Sequence, residues 1–142
     1  MSRIVNDLTY IFRCCNHFRN RQLEALGLSV RPASLLLEIC ATPGISQDAL
    51  ASRGFLNKSV VARALSSLEE DGFVERSTCQ KDKRINRLYP TEKTLQLLPQ
   101  LQQIQADCED FLTADLSQEE VDQLETLLSR LQLRATKWME VD

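Results

Sequence analysis

The spacing of apolar residues changes once along this chain and then changes back, which limits the fold more than any other feature. Up to Gly72 the pattern is helical. From Phe73 to Thr78, and again from Ile85 to Tyr89, it gives way to short segments rich in Val, Ile, Thr and aromatic residues. Between them lies the polar, mostly charged stretch Cys79-Gln80-Lys81-Asp82-Lys83-Arg84. Two such segments read as a β-hairpin with a basic tip, and Pro90 closes the second strand. Helical spacing then resumes. The expected fold class is mainly α with a small β wing.

Before the hairpin, residues 5–26 read as one helix, with Val5, Leu8, Ile11, Phe12, Cys15, Phe18 and Leu26 near helical spacing. Gly27 stops it. Arg31 to Cys40 is a second helix that tolerates Pro32 in its first turn, and Pro43-Gly44 breaks the chain. Ser46 is placed to cap a short helix, Gln47 to Arg53. Gly54-Phe55-Leu56 turns the chain, and Asn57 caps a longer helix that ends near Asp71 and Gly72. Leu56 and Val61 sit where a hydrophobic staple would lie. After the hairpin, Leu97, Leu101, Ile104, Cys108 and Phe111 recur at steps of 4, 3, 4 and 3, and Val121, Leu124, Leu128, Leu131, Ala135 and Trp138 at 3, 4, 3, 4 and 3. Such narrow stripes suit helix-on-helix packing. Ser117 and Glu120 form a capping box before the second stripe. Pro99 must kink the first of these helices or mark its effective start.

Composition removes several function classes. A hydrophobic content of 43% supports a packed core and argues against wholesale disorder. Asp7 and Arg13 interrupt the early apolar positions, so no secretory leader is expected, and no run is long enough for a membrane span. A soluble, cytoplasmic protein is expected. The 5 cysteines are odd in number and irregular in spacing, which argues against a disulfide framework. The net charge of -3 at first disfavours nucleic acid, but its distribution reverses that view. Residues 1–44 and 45–90 each carry net +2, and residues 91–142 carry net -7. Binding to DNA depends on the field at the contact face.

Short helix, tight turn, longer helix and basic hairpin, in that order, read as a helix-turn-helix followed by a wing. A helix fits the major groove, where base edges carry a distinct donor and acceptor code, and the preceding helix braces it across the backbone. Along the second helix, Lys58, Ser59, Ala62, Arg63 and Ser66 share one face, while Val60, Val61, Ala64, Leu65 and Leu68 largely share the other. Arg63 could pair bidentately with guanine or clamp a phosphate. Lys58 and Ser59, near the positive end of the helix dipole, suit phosphate. Ser46, Gln47 and Asn57 join the candidate DNA contacts, as do Lys81, Asp82, Lys83 and Arg84 at the hairpin tip. A solvated amphipathic helix in a bundle would show the same face, but not the basic hairpin directly after it.

The stretch from Ile45 to Lys93 resembles the MarR family of transcription regulators. The resemblance rests on Asn57-Lys58-Ser59 with Val61 and Arg63, on Leu68-Glu69 with Gly72-Phe73-Val74-Glu75-Arg76, on Asp82-Lys83-Arg84, and on Thr91-Glu92-Lys93. It implies a winged helix-turn-helix at residues 31–90 between an N-terminal dimerisation helix at 1–30 and C-terminal dimerisation helices at 91–142, in one compact domain. It also implies a homodimeric repressor on a pseudo-palindromic operator of double-stranded DNA, with Arg84 in the minor groove and Asp82 holding it. Leu8, Phe12, Phe111, Val121, Leu124, Leu128, Leu131 and Trp138 would form the dimer interface. The resemblance further implies release by a small aromatic or amphipathic effector, as in many members, or by cysteine oxidation, as in some. Cys14 and Cys15, flanked by Arg13, His17 and Arg19, are the candidate redox pair, although both also read as small apolar fillers.

Several positions depart from the family pattern. Val60 and Ala62 stand where Thr is frequent, the turn glycine (Gly54) falls one residue early with Phe55 after it, Thr94 replaces a frequent Gly, and Pro99 is unexpected. Other functions have less support. No cofactor is expected. Cys14 and His17 alone are too few ligands for a structural zinc site, and no nucleophile, base and oxyanion hole come together for an enzyme. The alternative is a winged-helix module that binds a protein rather than DNA, a reading kept open by the acidic C-terminal third.

Overall fold

The computed structural model describes residues 3–78 and 86–140, in two compact units, residues 1–108 and 109–142. The first unit holds α1 (Ile4–Glu24), α2 (Val30–Ala41), β1 (Ile45–Ser46), α3 (Gln47–Arg53), α4 (Lys58–Glu70), β2 (Val74–Thr78), β3 (Asn86–Pro90) and most of α5 (Glu92–Leu112). The second holds the end of α5 and all of α6 (Gln118–Glu140). This is a mainly helical, winged-helix architecture, as the spacing predicts. No helix among the described residues is long and apolar enough to cross a membrane.

The core of the first unit is built where helical and strand periodicities meet. Leu36 and Ile39 of α2, Val61 and Leu65 of α4, and Leu88 of β3 are all fully buried. Leu50, Leu68, Phe73 and Val74 close the cluster. Burying one such side chain contributes roughly 1.5–3 kcal/mol, so the two helices of the helix-turn-helix are seated by their own apolar faces.

The sheet is antiparallel in the order β1-β3-β2. Ile45 pairs with Leu88 and Arg76 pairs with Leu88 from the other side, so Leu88 sits at the centre. The sequence predicts two strands. The third, β1, is only two residues long and shows no periodicity of its own. It exists because β3 offers it a free edge: Gly44 donates its N–H to the Leu88 carbonyl at 2.8 Å.

The beginning of α5 holds the connection from α4 to the wing. The Thr94 hydroxyl, fully buried, donates to the Phe73 carbonyl at 2.5 Å. The Thr91 hydroxyl donates to the Gly72 carbonyl at 2.6 Å. Lys93 donates to the Asp71 carbonyl at 2.9 Å and lies 4.1 Å above the Phe73 ring. Thr94 is thus a structural clamp at a position where a glycine could not supply the bond. Pro99 lies inside α5, which already begins at Glu92, so it does not mark the start of that helix.

In the second unit, Ser117 and Glu120 form the expected reciprocal cap. The Ser117 N–H donates to Glu120 Oε1 at 3.0 Å, and the Glu120 N–H donates to Ser117 Oγ at 3.1 Å. The helix they begin, α6, has no buried residue along its whole length.

Candidate nucleic-acid interface

Both helices of the helix-turn-helix are capped by side chains that the sequence singles out. Ser46 Oγ accepts from the Ala49 N–H at 3.1 Å at the start of α3. Asn57 Oδ1 accepts from the Ser59 N–H at 2.8 Å at the start of α4. Each bond satisfies one of the amides left open in a first helical turn.

The turn between them is closed by two backbone bonds. The Leu56 N–H donates to the Ala51 carbonyl at 2.9 Å, and the Phe55 N–H donates to the Ser52 carbonyl at 3.2 Å. This Schellman arrangement needs a left-handed residue just past the helix. That residue is Phe55, with φ 51, and not Gly54, whose φ is -92. Helices α1 and α4 end with the same pair of bonds but place Gly27 and Gly72 at the left-handed position. For a residue with a Cβ the conformation costs roughly 1–2 kcal/mol.

The two faces of α4 separate as the spacing predicts. Val61, Leu65 and Leu68 are buried, Val60, Ala62 and Ala64 are intermediate, and Lys58, Ser59, Arg63 and Ser66 are exposed. Lys58 lies 3.7 Å from Asp48, with both side chains about four-fifths exposed. Such a pair contributes little to stability and leaves Lys58 open to a phosphate. Arg63 has no hydrogen bond or ion pair among the described residues. Of the two candidates at the start of α3, Ser46 forms its N-cap, and Gln47 Oε1 is buried without a partner among the described residues. The wing candidates Lys81, Asp82, Lys83 and Arg84, together with Cys79, lie outside the described residues. The first wing strand is tied to α4 by Arg76 Nε, 3.1 Å from Glu69 Oε2.

Behind α4 is an open cleft of about 860 Å³ within the first unit. Its walls are apolar at Leu35, Leu56 and Val60 and cationic at Arg19, Arg31 and Arg63. Arg19 is held by the Asn16 side chain at 2.8 Å. Arg63 therefore belongs to both the exposed face of α4 and the cleft. Arg19 and Arg31 become site residues only when α1, α2 and α4 pack, and no local pattern in the sequence marks them.

Among the candidate dimerisation residues, Leu8 and Phe12 are exposed on α1, where Leu23 alone is buried. In the second unit Phe111, Leu124, Leu128, Leu131 and Trp138 are exposed and Val121 is half-buried. Cys14 is exposed and Cys15 intermediate, and burial raises the pKa of the Cys40 thiol. Among the described residues no group of three or more His, Cys, Asp or Glu side chains could hold a metal ion.

Residues 26–85 match the sequence profile of the MarR family. The chain is 32% identical over 114 residues to the HTH-type transcriptional regulator BilQ of Clostridium symbiosum (strain WAL-14163), covering 80% of this chain and 79% of that protein. It is 28% identical over 131 residues to the HTH-type transcriptional regulator YybA of Bacillus subtilis (strain 168), covering 92% of this chain and 87% of that one. Among solved structures it is similar to a protein of Listeria monocytogenes described as a MarR family transcriptional regulator and crystallised with a 26mer DNA. That match has a TM-score of 0.91 and 25% identity, over 99% of this chain and 95% of that one.

Proposed function

This chain belongs to the MarR family of DNA-binding transcription regulators, and on that premise we propose that it is a cytoplasmic homodimeric repressor of a pseudo-palindromic operator. A small aromatic or amphipathic molecule in the cleft behind α4 relieves the repression. The observation that carries the DNA side is the outer face of α4. Arg63, Ser59 and Ser66 are exposed there, and Val61, Leu65 and Leu68 fix the helix from behind. A helix held rigidly by one face and left polar on the other can read base edges without reordering. The similar protein crystallised with a 26mer DNA supports a DNA partner for this chain.

A dimer supplies what one protomer lacks. Two-fold symmetry places two recognition helices one turn of duplex apart, which a palindromic operator mirrors. The unburied apolar positions of α1 and α6 support an interface between copies. The cleft supports the release step because Arg63 lines it. A ligand that recruits Arg63 inward takes a cation from the DNA face, and the differential contact moves the equilibrium toward the unbound state.

Selection of bound duplexes from a random library, followed by titration at several salt concentrations, tests this reading. The expected result is a palindromic consensus and an affinity that falls with salt, with a log–log slope near -0.9 per phosphate neutralised. Phenolic and amphipathic compounds should then lower affinity for that consensus. An absence of any enriched sequence and a flat salt response would favour the protein-binding module instead.

A further inference from the structure

We propose that Phe55 is a specificity-determining residue whose ring packs on a thymine methyl at the edge of the major groove. The proposal rests on the reading of α3 and α4 as a DNA-binding helix-turn-helix and assigns to it a contact outside α4. Three observations converge on this side chain. It occupies the left-handed position of the turn, φ 51, where α1 and α4 place glycine in the same hydrogen-bonded arrangement. The residue is 52% exposed and is not part of the core cluster, so core burial does not offset the strain. Its neighbour Leu56 is the one that packs against the core and serves as the staple. The isolated fold thus gains little from an aromatic side chain here, and a strained, solvent-facing residue that the fold does not need points to a role in a complex.

Its place in the chain identifies that complex. Phe55 lies immediately before Leu56, Asn57 and Lys58, and Asn57 and Lys58 are exposed at the N-terminal end of α4. In helix-turn-helix docking this is the end that meets base edges. The surroundings are polar or cationic and suit phosphate, whereas a phenyl ring has no use for phosphate. The one apolar feature that the major-groove edge displays is the thymine C5 methyl, which Phe can contact. Phe55 therefore adds selectivity for thymine at a base pair flanking those that the outer face of α4 reads.

The test uses the full chain, the consensus duplex selected by the wild type, and the variants Phe55→Gly and Phe55→Asn, both of which accept a left-handed backbone. Both variants should melt a few degrees above the wild type. Both should bind the consensus roughly tenfold more weakly, with unchanged affinity for an unrelated duplex. Replacing one thymine at a time by uracil removes only the methyl. At one position of each half-site this should weaken the wild type several-fold and leave Phe55→Gly unaffected. Equal binding of the consensus by Phe55→Gly and wild type, or equal sensitivity of the two proteins to every uracil replacement, overturns the proposal alone. Failure of the wild type to select any duplex overturns both it and the DNA-binding reading.

Discussion

Among the described residues, Thr94 is the one polar residue that is buried. Its hydroxyl is fully buried and bonded to the Phe73 carbonyl, which also accepts the Thr91 N–H at 3.2 Å. Thr94→Val keeps the shape and removes one of those two bonds. The remaining bond limits the loss, and urea denaturation should show a destabilisation of about 1 kcal/mol. An unchanged midpoint would show that Thr94 is there for its volume alone. Cys14 is exposed, and burial pushes the Cys40 thiol up. Because the thiolate is the nucleophile, an alkylating reagent at neutral pH should label Cys14 well before Cys40. Peptide mass spectrometry over a time course checks this, and faster labelling of Cys40 would contradict it.

The helix caps tie local stability to the binding face. Asn57 and Ser117 each satisfy a first-turn amide, so Asn57→Ala and Ser117→Ala should each destabilise by about 1 kcal/mol. Their functional effects should differ. Asn57→Ala loosens the turn of α4 that carries Lys58 and Ser59 and also removes a candidate DNA contact, so DNA affinity should fall as well. Ser117→Ala should lower the melting temperature and leave affinity intact. Equal effects on binding would mean that the first turn of α4 does not need to be fixed. These caps were legible in the sequence because capping is a local exchange between a side chain and an amide two or three residues away. The buried face of α4 was legible for a similar reason, since one helical period fixes which residues point inward. What was not legible depends on partners far along the chain. Ile45 and Ser46 become β1 only because Leu88 and Arg87 lie opposite them. Arg19 and Arg31 share a cleft with Arg63 only after three helices pack. The turn shows a third kind of limit. Gly54 attracts attention as the glycine, yet the bonds from Phe55 and Leu56 put the left-handed conformation one residue later.

For the whole molecule the decisive feature is α6, whose 23 residues include none that is buried. A polar helix could stand in water alone, but this one carries Leu124, Leu128, Leu131 and Trp138 at helical spacing, and all four are exposed. Hydrophobic burial is the main favourable term in most association, and a second copy of the chain offers the same stripe for an isologous contact. The wild type should therefore sediment at about twice 16.2 kDa. Leu128→Asp separates this from a purely internal role. The side chain is 39% exposed in the single chain, so a carboxylate there keeps much of its hydration in a monomer. Only in a dimer would it be forced out of water, at a cost of several kcal/mol. The variant should keep its helical circular dichroism while sedimenting as a monomer. Its DNA binding should change in a defined way, because one protomer neutralises about half the phosphates. The salt slope should fall to roughly half the wild-type value, and affinity for a single half-site should stay close to that of the wild type. A variant that remains dimeric with its full salt slope would place the interface elsewhere and leave the stripe of α6 without a partner.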